Sequence, residues 1–172
     1  MDLRKYIREV QDFPKEGIGF KDVTTLLLNG EVFKYAIDKC CEEVKDLEFD
    51  VIVGPEARGF IIGAPMSYAL SKAFVPVRKP GKLPSQTNSI EYALEYGTDV
   101  LEIHKDAIKK GQRVLIADDL LATGGTVKAI IEMIEAMGGI IVGGVFLMEL
   151  TFIPARDMLK GYDLRSLIEY ED

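Results

Sequence analysis

Residues 114–126 read VLIADDLLATGGT, and this segment decides the fold. It opens as an apolar run with strand character, passes through two adjacent acids and ends in a turn of small residues. Apolar side chains then recur at helical spacing, at Val127, Ile130, Ile131, Ile134 and Met137. The segment therefore predicts a strand, a loop and a helix. In an open parallel α/β sheet, a loop in this position is where anionic ligands bind.

The central loop (residues 122–126) suits a phosphate group. Gly124 and Gly125 lack a Cβ atom, so several backbone N–H groups can converge on one point. Thr123 and Thr126 add hydroxyl donors, and we expect them to cap the helix that follows. The alternative is a plain chain reversal, because glycine and threonine are also common in turns that bind nothing.

The two acids before the loop point to a different part of the same ligand. Carboxylates repel a phosphate, so Asp118 and Asp119 must face hydroxyl groups or a cation. A ribose supplies such hydroxyls, and Mg²⁺ is the usual cation for oxygen ligands. A sugar at the acids and a phosphate in the loop together describe a ribose 5-phosphate. The alternative is that both acids are merely solvated at the end of a strand.

Composition sets outer limits on the function. A chain of 172 residues with 48% hydrophobic and 28% charged residues is expected to form one globular domain. No apolar run reaches the ~18 residues of a membrane span, and no signal peptide is evident, so we expect a soluble cytoplasmic protein. The net charge of −7 argues against nucleic-acid binding. Cys40 and Cys41 are adjacent on a predicted helix and are expected to be reduced.

Strand and helix patterns alternate along most of the chain. We predict a short N-terminal helix from Leu3, Ile7 and Val10, and a last strand at residues 164–170. Between them we expect strands at 51–53, 74–77, 114–117 and 140–148, and helices starting at about residues 30, 60 and 127. This order predicts a mostly parallel five-stranded sheet covered by helices on both faces.

Residues 79–103 break that alternation. Residues 79–88 contain two prolines and a glycine, so we expect an irregular loop. A hairpin is expected next, with its turn at residues 97–99. Together they predict a mobile flap with an antiparallel stem.

Basic residues are concentrated in two places on this acidic chain. Arg58 lies in the loop 54–59 after a predicted strand, where it would bind a diphosphate or form a surface ion pair. Arg78, Lys79 and Lys82 form the densest cluster, at the start of the flap. They would either close over a diphosphate or keep an exposed loop soluble.

Four motifs, of which the flap motif comprises two segments, resemble the type I phosphoribosyltransferase family, in the family's order. The acids and the Thr-Gly-Gly-Thr turn of residues 118–126 are similar to its motif for phosphoribosyl diphosphate (PRPP). Residues 58–60 (RGF), the flap segments 78–84 (RKPGKLP) and 94–97 (LEYG), and residues 13–24 (FPKEGIGFKDVT) resemble its adenine-specific members. The resemblance implies one domain over residues 1–172, with a base-binding hood at 1–30 and the flap at 79–103.

The resemblance also implies roles for individual residues. The 5-phosphate would be held by Ala122, Thr123, Gly124, Gly125 and Thr126, and the ribose by Asp118 and Asp119. Pyrophosphate would contact Arg58, Gly59, Arg78, Lys79 and Lys82. Adenine would contact Gly19, Phe20, Lys21 and Leu120, with Phe20 stacked on the purine and Lys21 in a supporting role. Glu95 would take a proton as adenine attacks; without the resemblance it would be a surface acid of the hairpin.

The reaction implied by the resemblance is adenine plus PRPP giving AMP plus pyrophosphate, a step of purine salvage. Mg²⁺ would accompany PRPP and be held mainly by its oxygens and by water, with no certain protein ligand. The family implies a homodimer, and neither nucleic acid nor a membrane is expected as a partner. The alternatives are transfer to guanine, xanthine or orotate, and a PRPP-sensing regulator, which usually carries an added DNA-binding domain.

Overall fold

The computed structural model describes residues 1–94 and 97–172, so Glu95 and Tyr96 lie outside the described residues. The chain opens with a 3-10 turn at Leu3–Tyr6. The strands and helices that follow are, in chain order, β1 Arg8–Val10, β2 Phe20–Asp22, α1 Thr24–Leu27, α2 Gly30–Glu43, β3 Val51–Pro55, α3 Arg58–Leu70, β4 Ala73–Val77, β5 Thr87–Leu94, β6 Gly97–His104, β7 Arg113–Leu121, α4 Gly125–Ala136, β8 Ile140–Leu150, α5 Ala155–Met158 and β9 Leu164–Tyr170.

The centre of the fold is a five-stranded sheet in the order β4-β3-β7-β8-β9. Each neighbouring pair in this sheet is parallel, so the predicted architecture is confirmed. The strand order reverses between β3 and β7, since β4 lies on one side of this pair and β8 and β9 lie on the other. A crevice at the carboxyl ends of two such strands is the usual ligand site of open α/β sheets.

The hydrophobic core has two layers, one on each face of the sheet. Neighbouring residues of a strand point to opposite faces, so Val51 packs with the layer that contains Ile130 of α4. Ile52 packs with the other layer, which contains Ile62 of α3. Burial on both faces explains why β3 and β7 read as continuous apolar runs.

Helix boundaries follow from the caps in the sequence. Asn29 caps α2, because its side-chain oxygen accepts hydrogen bonds from the backbone N–H groups of Glu31 and Val32. Helix α4 ends before Gly138, which adopts a left-handed φ of 86°, as predicted. Helix α3 begins at Arg58, two residues before the predicted start, so the arginine belongs to its first turn.

Three local predictions were wrong. The N-terminal segment forms one 3-10 turn and then strand β1, which pairs antiparallel with β2 instead of continuing as a helix. Thr87 and Asn88 already belong to strand β5. The predicted hairpin turn at residues 97–99 lies inside strand β6, where Asp99 pairs with Tyr92. The antiparallel pairing of β5 with β6 is nevertheless as predicted.

Two further features bear on the sequence-based expectations. Cys40 is buried, Cys41 is half-buried, and both are free thiols. Among the helices of the described residues, none has the length and apolar character needed to cross a membrane.

Candidate functional site

The central loop joins the carboxyl end of β7 to the amino end of α4. Gly124 has a left-handed φ of 85°, which residues with a Cβ atom rarely adopt. A methyl group at Gly124 would lie 3.1 Å from both Ala155 Cβ and Leu159 Cδ1, so the loop packs directly against α5. The first N–H groups of a helix have no partner within it, which makes this end of α4 a donor surface for an anion.

The two threonines do not cap α4 as predicted. The N-cap position is Gly124, and it makes no side-chain cap hydrogen bond. Thr123 Oγ1 accepts only a long hydrogen bond, of 3.5 Å, from the backbone N–H of Gly125. Thr126 Oγ1 instead lies 3.4 Å from the hydroxyl of Tyr92 on the hairpin. Both hydroxyls therefore remain close to the loop, at the cavity described below.

The acids at the end of β7 have different environments. Asp119 is only 4% exposed, and its Oδ2 accepts a hydrogen bond of 2.5 Å from Arg58 Nε. Asp118 Oδ1 accepts from the backbone N–H of Asp119 at 2.8 Å. Burial of the Asp118 carboxyl, together with the neighbouring Asp119 carboxylate, raises the pKa of Asp118 well above its ordinary value. A carboxyl held this way can change its charge when a cation or a hydroxyl group arrives.

The loop 54–59 reaches the same acids from β3. A methyl group on Gly59 would lie 2.7 Å from Pro55 Cδ and 3.0 Å from Asp118 Oδ1, so only glycine allows α3 to start this close to β7. The Glu56–Ala57 peptide bond is cis. Arg58 is half-exposed and bridges two regions, since its guanidinium contacts Asp119 and lies 5.6 Å from the ring centre of Phe20 in the hood.

Two of the flap's basic residues are held by acids at its base. Glu56 Oε1 accepts from Arg78 Nε at 3.1 Å and from the backbone N–H of Lys79 at 2.7 Å. The ammonium group of Lys79 pairs with the carboxylate of Asp99, and this contact lowers the pKa of Asp99. Lys82 is exposed.

A cavity of about 320 Å³ brings most of these groups together. Of the predicted site residues, those lining it are Arg58, Lys79, Asp118, Asp119, Leu120, Ala122, Thr123, Gly124 and Thr126. Within the described residues, the predicted positions outside its lining are Gly19, Phe20, Lys21, Gly59, Arg78, Lys82 and Gly125. Glu95, the predicted catalytic residue, lies outside the described residues.

Of the hood's three predicted adenine contacts, only Phe20 is placed against a residue that lines this cavity, Arg58. Phe20 packs edge-on against Phe13, with ring centres 5.2 Å apart, and presents its ring to the Arg58 guanidinium. Lys21 faces elsewhere: its Nζ pairs with Glu9 Oε2 at 2.9 Å and lies 4.5 Å from the ring centre of Tyr170. Gly19 lies beside the same acid, because a methyl group there would be 3.0 Å from Glu9 Oε1.

Two polar residues of the cavity lining, Tyr92 and Glu56, were missed by sequence reasoning. Tyr92 lines it and lies 3.4 Å from both Thr126 Oγ1 and Asp99 Oδ2. Its position could have been predicted from its spacing. Tyr92 is two residues after Ile90 on β5, so both side chains point to the side of the hairpin that faces the core. Glu56 stands beside Arg58 in a loop already singled out, but its hydrogen bonds to the flap are long-range and leave no local pattern.

Asp118 and Asp119 are the acids of the cavity that could contribute oxygen ligands to Mg²⁺. Over residues 1–94 and 97–172, no cluster of three or more His, Cys, Asp or Glu side chains could hold a metal by itself. Asp118 and Asp119 nevertheless supply carboxylate oxygens, which are the ligands that Mg²⁺ prefers. This arrangement fits a cation that arrives with its own oxygen ligands and is completed by these two acids.

Comparisons with known proteins agree with this geometry. The family described as "Phosphoribosyl transferase domain" matches residues 25–153. The chain is 63% identical over 171 residues to adenine phosphoribosyltransferase of Clostridium tetani (strain Massachusetts / E88), and 60% identical over 171 residues to that of Alkaliphilus oremlandii (strain OhILAs). Each match covers 99% of both chains. The crystal structure of adenine phosphoribosyltransferase from Thermoanaerobacter pseudethanolicus ATCC 33223 superposes with a TM-score of 0.96, at 55% identity and 98% coverage of both chains.

Proposed function

The chain belongs to the phosphoribosyltransferase family, and from this we infer that it transfers the 5-phosphoribosyl group of PRPP to N9 of adenine, giving AMP and pyrophosphate. This is a purine-salvage reaction. The observation that carries the proposal within the structure is the shared cavity. It is lined at once by the central loop, by Asp118 and Asp119, and by the basic groups of Arg58 and Lys79.

The cavity offers a complementary surface for each part of PRPP. The first-turn N–H groups of α4 and the hydroxyls of Thr123 and Thr126 face the 5-phosphate. Asp118 and Asp119 accept hydrogen bonds from the ribose hydroxyls, and their carboxylate oxygens would help to hold a Mg²⁺ ion that accompanies PRPP. When bound with PRPP, Mg²⁺ supplies charge neutralisation for the diphosphate and ribose oxygens.

The basic residues bind the diphosphate by exchanging partners. Arg58, Arg78 and Lys79 are paired with Asp119, Glu56 and Asp99, respectively. Glu56 and Asp99 are 18% and 27% exposed, so their pairs with Arg78 and Lys79 are partly solvated and contribute only about 0–1 kcal/mol. A diphosphate can therefore replace these two carboxylates at little cost. Asp119 is buried, so Arg58 keeps its bond to this acid through Nε while the rest of its guanidinium binds the diphosphate. Lys82 and the N–H of Gly59 complete the proposed set of contacts.

The hood provides the base site. Phe20 stacks on the purine, opposite Leu120 of the cavity wall. The backbone C=O of Gly19 accepts from the 6-amino group of adenine, and its N–H donates to N1. A 6-oxo purine presents the reverse pattern and would leave buried groups unpaired, which is the basis of strong discrimination. Lys21 supports the hood through Glu9 and Tyr170.

The chemistry asked of the chain is mainly positioning. The nucleophile and the leaving group are held in line at the anomeric carbon, an effect that reaches about 7–11 kcal/mol in favourable systems. Arg58 and the flap's basic residues stabilise the departing pyrophosphate. Glu95 takes the proton released as N9 attacks, and closure of the flap (79–103) over the diphosphate excludes water from the reacting sugar.

The assembly and location are also proposals. Homodimers are the expected form, with Arg78 reaching toward the partner's site. A cytoplasmic location accords with the free cysteines and with phosphorylated substrates. The net charge of −7 disfavours nucleic acid as a partner.

Competition among bases tests the proposed function. Purified protein with PRPP and Mg²⁺ is offered adenine, guanine, hypoxanthine, xanthine and orotate, and the nucleotides formed are separated and identified. We expect AMP from adenine and at least about 10⁴-fold lower kcat/KM for the 6-oxo bases. Equal use of hypoxanthine would refute the proposed contacts of Gly19, and formation of no nucleotide from any base would refute the proposed reaction.

A further inference from the structure

An ion pair between a buried carboxylate, Glu149, and a half-exposed guanidinium, Arg156, lies outside the lining of the cavity. Glu149, near the end of β8, is 3% exposed, and both of its carboxylate oxygens accept from Arg156 of α5 at 2.7 Å. Ser166 of β9 donates a third hydrogen bond to Glu149, at 2.6 Å. Arg156 also donates to the backbone C=O of Leu164 at 2.9 Å. One carboxylate and one guanidinium thus join β8, β9 and α5.

Helix α5 depends on this pair for its position. It has four residues and no side-chain N-cap, and so short a helix has almost no stability of its own. Two parallel hydrogen bonds between a guanidinium and a carboxylate fix direction as well as distance. The pair lowers the pKa of Glu149, which agrees with a carboxylate that stays charged.

The same helix supports the backbone of the central loop. A Cβ atom on Gly124 would lie 3.1 Å from both Ala155 and Leu159, so these two residues pack directly against this glycine. Both side chains are only 2% exposed. On the sheet side, Glu149 is the register partner of Leu121, the last residue of β7 before the loop. The central loop therefore lies between the end of the sheet and α5. The ion pair of Glu149 with Arg156 connects these two parts of the structure.

We propose that Glu149 and Arg156 are positioning residues for the central loop. Their ion pair holds α5 against Gly124, and α5 keeps the loop in the left-handed conformation that presents its N–H groups to a phosphate. This inference rests on the proposed function for the identity of the phosphate. Neither residue lines the cavity, so their effect on the ligand passes through Ala155, Leu159 and Gly124.

Arg156→Lys tests the inference, because lysine keeps the charge but loses the two parallel hydrogen bonds. The matched control is Arg165→Lys. Arg165 is also an arginine that binds a carboxylate through two nitrogens, at 2.5 and 2.9 Å from Asp46, but it contacts no residue beneath the loop. The Kd of ribose 5-phosphate is measured by calorimetry, the KM values of PRPP and adenine by steady-state kinetics, and folding by thermal unfolding.

We expect Arg156→Lys to raise the Kd of ribose 5-phosphate and the KM of PRPP about 10-fold, because a misplaced loop loses its aligned contacts. The KM of adenine should stay within about two-fold, and Arg165→Lys should change neither ligand constant. A folded Arg156→Lys protein with an unchanged Kd for ribose 5-phosphate would overturn the inference. An equal loss in Arg165→Lys would also overturn it, since the effect would then be general destabilisation.

A second variant keeps the inference testable if Arg156→Lys does not fold. Leu159→Val removes the δ-carbon beneath Gly124 while leaving the ion pair intact, and it should weaken ribose 5-phosphate binding in the same direction; an unchanged Kd counts against the inference.

The wild-type protein separates the two proposals. Ribose 5-phosphate binding without AMP formation would refute the proposed reaction alone. A wild type that binds no ribose 5-phosphate would refute both.

Discussion

Replacing Gly125 with valine separates ligand binding from folding. Gly125 is the first residue of α4, and a methyl group there would lie 3.8 Å from Thr123 Oγ1 and 3.8 Å from Tyr92 Cδ2. These are ordinary contacts, so the Cβ atom of a valine fits at this position without strain. Thr123 and Tyr92 both line the cavity, so the added carbon atoms would face the space assigned to the 5-phosphate.

The size of the effect follows from the hydrogen bonds that would be lost. A hydrogen bond to a charged group contributes about 1.5–3 kcal/mol. Blocking two N–H contacts to the phosphate would therefore cost about 3–6 kcal/mol, which is roughly a 10²- to 10⁴-fold rise in Kd. Stability should change little, because glycine and valine differ by only about 0.5 kcal/mol in helix propensity.

Gly30→Val is the matched control. Gly30 is the first residue of α2, and no atom lies within 4 Å of the position that its Cβ would take. Calorimetry with AMP and with ribose 5-phosphate, together with thermal unfolding, is carried out on both variants. Equal stability with loss of binding only in Gly125→Val is the expected result. Undiminished AMP binding by Gly125→Val would refute the assignment of the central loop to the phosphate.

Four further predictions concern catalysis and stability. Glu95→Gln should lower kcat and leave the affinity for PRPP nearly unchanged; an unchanged kcat would remove Glu95 from proton transfer. Gly124→Ala should destabilise the fold by at least about 1–2 kcal/mol in urea unfolding, because its φ of 85° is left-handed. Asp118→Asn should weaken PRPP binding, while its thermal stability relative to wild type should increase with rising pH. The reason is that the raised pKa of Asp118 makes ionisation costly in the folded state. The pKa of Glu149 is lowered from 4.5, so its stabilising effect, measured against Glu149→Gln, should be present above that pH and disappear as the pH falls through the lowered value.

Much of the fold was predictable because its signals are local. The buried strands β3 and β7 appear as apolar runs, α2 starts at residue 30 as predicted, and α4 shows helical periodicity with an end at Gly138. The alternation of these elements implies a parallel sheet with few alternatives. The prediction for the N-terminal segment was wrong because the structure there depends on a non-local contact. Its apolar spacing suits a helix, but pairing with β2, a contact across about ten residues of chain, makes Arg8–Val10 a strand.

The candidate site also combines local features, which the sequence reveals, with long-range contacts, which it does not. Its motifs could be read from the sequence, since Asp118, Asp119 and the central loop are consecutive in the chain. The partners of its charged groups could not be read in this way. Arg58 meets Asp119 across 61 residues because the carboxyl ends of β3 and β7 are adjacent in the sheet. Arg78 meets Glu56 across 22 residues because those of β3 and β4 are adjacent.

By itself, the sequence determined the chemical groups from which the site is predicted: a glycine-rich loop proposed for a phosphate, two acids for a sugar, basic residues for a diphosphate and an aromatic hood for a base. Each of these is encoded in a few neighbouring residues. Only the tertiary structure decided which groups share a cavity, that Lys21 turns away to Glu9 and Tyr170, and that α5 lies beneath Gly124. Such contacts join residues far apart in the chain, and their geometry depends on the packing of the whole sheet.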